Sequence, residues 1–373
     1  MRAGSKIVAS LIFIFIFTGI FHDFIANEKP LICIQNGKTV FPVFKEKFRT
    51  DTTDRIILMA PVRYSHYTID MQNTGGISPF GKQKLMPGQQ RHLLGTDIFG
   101  RDVLAGLIFG TSVSLKVGIG SMLLAFFLGL IMSLIPSYFG DNGLKIKVST
   151  FFILAIILSV LFYLLYYFKY FTLAIMPADR IAYLFLLLLI IVIFSVMPFS
   201  QKSFSLPLDT GISLFTGVFQ SLPSSFLVLI LISLFTKTTI LHIILVIGFL
   251  KWPSIARYVR TEVIKVRQER FVEASRVLGL NDILIIIRHV FPYTLTPVFV
   301  ALTYGFAGSI MLESTLSFLG IGTPADHVSW GTMLGESRQD FSAWWLAVFP
   351  GMAIFMVTYC FNAIGEKYSG RFQ

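Results

Sequence analysis

Charged side chains are scarce. They make up 14% of the 373 residues, against about a quarter in soluble domains. With 54% of the chain hydrophobic, a water-soluble fold would lack the polar surface to cover it, and disorder is excluded for the same reason. Cysteine is nearly absent. Cys33 lies in a polar stretch and Cys360 in an apolar one, which argues against a disulfide framework or a thiolate metal site. The histidines, His22, His66, His92, His242, His289 and His327, form no H-E-x-x-H and no pair at ligand spacing, so no metal is expected. No G-x-S-x-G elbow, fixed-period repeat or low-complexity tract occurs, and nothing suggests an enzyme or a cofactor. What remains is long apolar runs, and these predict an all-α polytopic membrane protein embedded in a lipid bilayer. The 31 basic residues against 20 acidic ones then point to basic loops rather than to nucleic acid.

A spanning helix needs about 20 mostly apolar residues. Ile7–Phe21 is short and follows Arg2 and Lys6. Phe24 stands where a small residue would precede cleavage, so it reads as an uncleaved anchor over residues 1–21. Further spans are expected at Val117–Ile135, Phe151–Phe168, Ile181–Met197, Ile212–Phe235, Thr239–Leu250, Leu295–Leu312 and Ala343–Ile364. Eight spans place both termini on one side.

Residues 251–290 carry eight Lys/Arg against four acids, whereas 313–342 carry four acids against Arg338 alone. Basic short loops stay in the cytoplasm, so 251–290 and both termini are expected inside and 313–342 outside. Residues 22–91 carry ten basic and six acidic residues on the outside, which long segments tolerate. The segment 22–110 reads as a small extracytoplasmic module. Val40–Phe44 and Arg55–Met59 are its expected short strands.

The loop that follows the sixth span is patterned. Ile255, Val259, Val263 and Val266 repeat at helical spacing, and so do Phe271, Ala274, Val277 and Leu278. Gly279 can end a helix in the left-handed conformation, and Asn281 can cap the next, whose Ile283, Ile286, Ile287 and Val290 form an apolar stripe. A solvated loop needs no such design. A loop that docks into a groove on another protein does.

Glu273-Ala274-Ser275-Arg276-Val277-Leu278-Gly279 resembles the E-A-A-x-x-x-G motif of ABC-transporter permease subunits, and Arg288-His289-Val290-Phe291-Pro292 is similar to the R-H-I-L-P that follows it. Leu94-Gly95-Thr96-Asp97-Ile98-Phe99-Gly100-Arg101-Asp102-Val103, Ser317-Phe318-Leu319-Gly320-Ile321-Gly322 and Ser329-Trp330-Gly331-Thr332-Met333-Leu334 resemble motifs of the oligopeptide/dipeptide C-type subunits, in the same order. Phe24–Leu31 and Phe41–Phe44 look like the branch importing longer peptides and microcin C-like compounds.

The resemblance implies the type I ABC-importer transmembrane fold over residues 111–366, a short cytoplasmic tail at 367–373, and an oligopeptide substrate. The partners it implies are a second permease subunit, two ATP-binding subunits and an extracytoplasmic peptide-binding protein, in a bacterial inner membrane. Dipeptides, nickel or microcin-like compounds are other cargoes of such systems. It also implies that Glu273, Ala274, Ser275 and Gly279 couple the chain to the ATPase within the 251–291 loop. Two features depart from the family: the 145–206 stretch adds two spans to the usual six, and Ser275 replaces Ala.

Gly76–Gln83 nearly spells a phosphate-binding loop, but it lacks the terminal Ser/Thr, so ATP is expected on separate chains. Glu313 is a carboxylate at the edge of an apolar span. It either lines a translocation path or bonds backbone N–H groups in a Ser314-Thr315 turn. His242 reads as an interhelical donor, Trp330, Trp344 and Trp345 as interfacial anchors, and Pro350-Gly351 as a kink. An ion-driven secondary transporter is the main rival class. It calls for more intramembrane ionisable groups and for repeats.

Overall fold

The apolar runs form helices in a computed structural model that describes residues 2–35, 38–44, 55–86, 89–143, 145–147, 203–205, 207–235, 237–322 and 327–369. In chain order they are α1 (Arg2–Ile20), α2 (Val103–Gly143), α3 (Leu208–Ser221), α4 (Ser224–Ser233), α5 (Ile240–Val266), α6 (Arg270–Val277), α7 (Phe291–Phe318), α8 (Trp330–Glu336) and α9 (Trp345–Ser369). The spans expected at Phe151–Phe168 and Ile181–Met197, with most of the 145–206 insertion, lie outside the described residues. Among the described residues, α2, α5, the run Asp282–Phe318 ending in α7, and α9 are long and apolar enough to cross a membrane. The helices α3 and α4 make a fifth candidate, bent by 88° at Leu222-Pro223, where Ile212–Phe235 reads as one span.

Two compact units are present: residues 1–132 with 216–373, and residues 133–215. In the second, two short strands, Lys145–Lys147 and Ser203–Ser205, pair antiparallel, and Asp141 accepts bonds from the Thr210 amide (2.9 Å) and hydroxyl (2.5 Å). The first unit holds the core. Here Val113 and Val117 of α2 pack on Ile243 and Ile247 of α5, while Val228 and Ile232 of α4 pack on Val246 and Leu316. A Cβ on Gly248 would stand 2.9 Å from the Ser121 carbonyl, so the closeness of α2 and α5 depends on glycine at that position.

Two helix boundaries differ from expectation for local reasons. Residues 103–110, read as the end of the polar segment, already belong to α2, because the Asp102 carboxylate accepts the Ala105 amide at 2.6 Å and starts the helix there. The sixth span does not stop at Leu250. It runs through Pro253 to Val266, with Ile255, Val259, Val263 and Val266 all buried on the face that Ile243 and Ile247 begin. The first apolar repeat of the patterned loop is thus core rather than docking surface. His242 is likewise not an interhelical donor: it forms a capping box with Thr239 at the start of α5 and stacks on Phe235 at 4.0 Å.

The segment before α2 contains β1 (Ile32–Gln35), β2 (Lys38–Val40) and β3 (Arg55–Leu58), in antiparallel order β2-β1-β3. The second expected strand is β3. The first is not a strand: only Val40 of it lies in β2, and Pro42–Phe44 forms a 3₁₀ turn, since Pro42 has no N–H for a ladder.

The end of that segment is locked onto the helices. His92 is fully buried, with Nδ1 2.8 Å from Asp102 and Nε2 3.3 Å from Asp70. Asn73 donates to Asp70 at 2.7 Å, and the Tyr64 ring stacks on the imidazole at 4.2 Å. Burial pulls the His92 pKa down, but the bonds and charges of Asp102 and Asp70 outweigh it, so the net shift is upward. Arg101 is held between Asp97 and Glu336, each at 2.5 Å.

Two of the three tryptophans depart from the anchoring role. Trp345 is buried and donates its indole N–H to the Thr96 carbonyl at 3.0 Å. Trp330 is buried and donates to the Leu107 carbonyl at 3.0 Å. Only Trp344, 45% exposed, is placed as an anchor would be. Replacing Trp345 with Phe keeps the apolar ring but orphans the buried Thr96 carbonyl. The expected loss is about 1–3 kcal/mol, measured by thermal unfolding in detergent.

Candidate functional site

After α5, the chain turns at Arg267–Glu269 and enters α6, an eight-residue helix. Its inner side is fixed by Val272, which is buried, and by Ser275, whose hydroxyl donates to the Phe271 carbonyl at 2.8 Å. Phe271 stacks on Tyr293 of α7 at 4.9 Å, tying α6 to the start of that span. The outer side carries Glu273, Ala274 and Arg276, and the helix ends on Val277 and Leu278, which are 84% and 80% exposed.

The turn closes as the sequence predicts. Gly279 has φ +75°, its N–H donates to the Arg276 carbonyl at 2.9 Å, and the Leu280 N–H donates to Ser275 at 3.2 Å. This paired arrangement satisfies the last carbonyls of α6 and requires a left-handed residue. Asn281 then accepts the Ile283 amide at 3.1 Å, starting the next turn.

Four predicted residues meet here but do not share one surface. Glu273, Ala274 and Gly279 are exposed, whereas Ser275 faces the protein interior. Glu273 has no ion-pair partner among the described residues, and Arg276 instead approaches Asp282 at 4.0 Å. The apolar surface around the turn extends to Ile283 and Ile287, both exposed.

The expected stripe of Ile283, Ile286, Ile287 and Val290 is split, because Ile286–Val290 is a π-helical turn. The extra residue rotates Ile285, Ile286 and Val290 inward and leaves Ile283 and Ile287 outward. The Phe291 N–H reaches back to the Ile286 carbonyl, and Pro292, next in line, has no N–H to offer.

Glu313 lies away from this turn, fully buried on α7. Ser317 donates to it at 2.8 Å, Ser314 reaches it at 3.4 Å, and Ser329 at the start of α8 also bonds it. Residues 314 and 315 are helical, so the expected turn is absent and hydroxyls rather than backbone amides hold the carboxylate. Gly76–Gln83 folds as turns, and the Gln83 side chain bonds both the amide and the carbonyl of His92. Four of the eight basic residues expected in the loop, Lys251, Arg257, Arg260 and Lys265, belong instead to α5.

Residues 199–368 match the family described as binding-protein-dependent transport system inner membrane component. The chain is 30% identical over 287 residues to a putative peptide transport system permease protein of Brucella suis, covering 76% of this chain and 74% of that one. It is 27% identical over 284 residues to a dipeptide transport system permease protein of Alkalihalophilus pseudofirmus, covering 76% and 72%. Against an oligopeptide transport system permease protein of Haemophilus influenzae it is 36% identical over 154 residues, covering 41% and 49%.

Proposed function

Because this chain belongs to the family of binding-protein-dependent transport system inner membrane components, we propose that it is one of two permease subunits in an ATP-driven importer of oligopeptides. The observation that carries the coupling part of this reading is the Arg270–Gly279 helix-turn. It presents two strongly exposed apolar side chains, Val277 and Leu278, beside an acid, Glu273, with no ion-pair partner among the described residues, on a helix pinned to the spans through Phe271 and Tyr293. An exposed apolar tip held at a fixed angle is the form expected of a helix that inserts into a partner's groove.

In this reading α6 docks in a cleft of an ATPase subunit. Val277 and Leu278 fill the cleft, Glu273 makes a charged contact, and Ala274 keeps the helix close. Ser275 braces α6 from within, and Gly279 sets the exit angle. Closure of two ATPase subunits around ATP then pushes on α6. The push passes to α5 and α7, which flank it in sequence. From Arg257 to Arg288 seven basic residues face four acids, which favours placing this end, and both termini, in the cytoplasm. The segment before α2 then faces the extracytoplasmic binding protein. Glu313 is closed off by serines, so it meets substrate only in a state where α8 parts from α7.

The test is transport by the assembled complex in vesicles: this chain, a second permease, two ATPases and a binding protein. Labelled peptide should accumulate only with ATP and binding protein. Accumulation driven by an ion gradient without ATP would instead make the chain a secondary transporter.

A further inference from the structure

A cavity of about 640 Å³ opens at the break between α3 and α4, with Gln220, Pro223, Ser224, Lys251, Gly308 and Thr315 in its lining. Lys251 reaches across it toward α7: a Cβ on Gly308 would stand 3.3 Å from Lys251 Nζ, so this glycine leaves room for the ammonium. Lys251 lies eleven residues beyond Ile240, and Gly308 ten residues before Phe318. At about 1.5 Å per residue both sit about 15 Å from those helix ends, which is half the roughly 30 Å hydrocarbon thickness for a bilayer that begins at Ile240 and Phe318. A cation at such depth is costly unless an anion meets it. Among the described residues, Lys251 has no ion-pair or hydrogen-bond partner, and no acid lines the cavity.

Two further donors lie in the same place. Gln220 accepts a bond from Arg257 through its oxygen, while its Nε2 is buried with no partner among the described residues. The ten-residue helix α4 starts at Ser224 with no side-chain cap, leaving first-turn N–H groups and the positive end of its dipole at the cavity wall. An ammonium, an unpaired amide N–H and a helix start together offer donors and no charged acceptor. The complement is a carboxylate.

The geometry points to Lys251, with Gln220 and the first turn of α4, as an anion subsite inside the translocation path that takes the C-terminal carboxylate of the transported peptide. This inference rests on the chain being a peptide permease. A fixed cation suits that task because every unmodified peptide carries this carboxylate whatever its side chains, and the cavity volume is in the range of small-ligand sites. The subsite holds the leading or trailing end of the peptide while side chains vary.

The experiment compares ATP-driven uptake of one labelled peptide as its free acid and as its C-terminal amide, with the same binding protein throughout. The discrimination contributed by the binding protein then cancels between variants. In Lys251→Met the acid-over-amide ratio should fall about tenfold or more relative to the unaltered chain, through slower uptake of the acid alone. Lys251→Arg should keep the ratio, and Gln220→Leu should lower it by less than Lys251→Met. Lys251→Met removes a cation with no partner among the described residues, so it leaves none of them orphaned, and co-purification with the partner subunits should persist. A ratio unchanged in Lys251→Met overturns the subsite. An equal fall for acid and amide overturns it too, and assigns Lys251 to an ion pair with the second permease subunit. If the unaltered complex carries neither peptide, the peptide-permease reading itself fails.

Discussion

Glu273→Arg combined with Gly279→Pro should lower ATP-driven peptide uptake by about a hundredfold or more, while the chain still inserts and folds. The expectation has two independent parts. Gly279 holds φ +75°, which proline cannot adopt, and its N–H donates to the Arg276 carbonyl, a bond proline cannot make. The last turn of α6 would therefore unwind, and Val277 and Leu278 would lose their fixed angle. The arginine reverses the charge at the proposed docking face, and disturbing one member of an interfacial charge pair commonly costs about 2–5 kcal/mol. At about 1.4 kcal/mol per tenfold, either change alone is severe. Neither should unfold the protein: Glu273 is exposed, and a Cβ on Gly279 meets nothing within 4 Å. The readouts are uptake and ATPase co-purification, beside thermal unfolding of the solubilised chain. Uptake that survives both changes would show that α6 does not couple the chain to its motor.

His92→Ala should destabilise the protein by about 3–5 kcal/mol, because it leaves Asp70 and Asp102 buried without the cation between them. The effect depends on pH in a defined direction. The folded pKa of His92 is raised above its ordinary 6.5 by Asp102 and Asp70 acting against burial. Its contribution is therefore complete below about pH 6.5 and is lost as pH rises through the folded value. For Asp70, burial alone would raise the pKa, but the bonds from Asn73, the Gln72 amide and His92 lower it below 3.8. That contribution is present above 3.8 and is lost as pH falls through the folded value. The stability gap between the unaltered protein and His92→Ala should thus be widest between about pH 4 and 6.5 and narrow in alkaline solution. Thermal unfolding in detergent across that range checks it. A gap that widens toward high pH would mean that His92 is buried as a neutral ring.

These two sites differ in how far the sequence reveals them. Gly279 and Asn281 act on neighbours within four residues, so residue type and spacing suffice to place the turn. The continuation of α5 past Leu250 was hidden by charges: Lys251, Arg257 and Arg260 look like a loop, although Ile255, Val259 and Val263 keep the buried face intact. The π-turn at Ile286–Val290 leaves no mark in the hydrophobic pattern, because one extra residue shifts the stripe without changing its composition. His92 looked idle because Asp70 and Asp102 lie 22 and 10 residues away, and no local rule brings them together. Indoles favour the interface and the sequence shows nothing else near Trp330 and Trp345, because the carbonyls that hold them stand more than 200 residues upstream.

That last separation bears on how the chain is made. Thr96, Leu107 and Arg101 emerge early in synthesis, while Trp345, Trp330 and Glu336, which complete their bonding, follow 249, 223 and 235 residues later. At about 5–20 residues per second, the polar early segment waits on the order of ten seconds or more for these partners. Until then the Leu107 carbonyl has its local partner Thr111 and Arg101 has Asp97, while the Thr96 carbonyl and the second side of the guanidinium wait for theirs. The closing contacts of this end of the molecule therefore form only after the start of the final helix has been made, so that completing this end also reports that the chain before it has been produced.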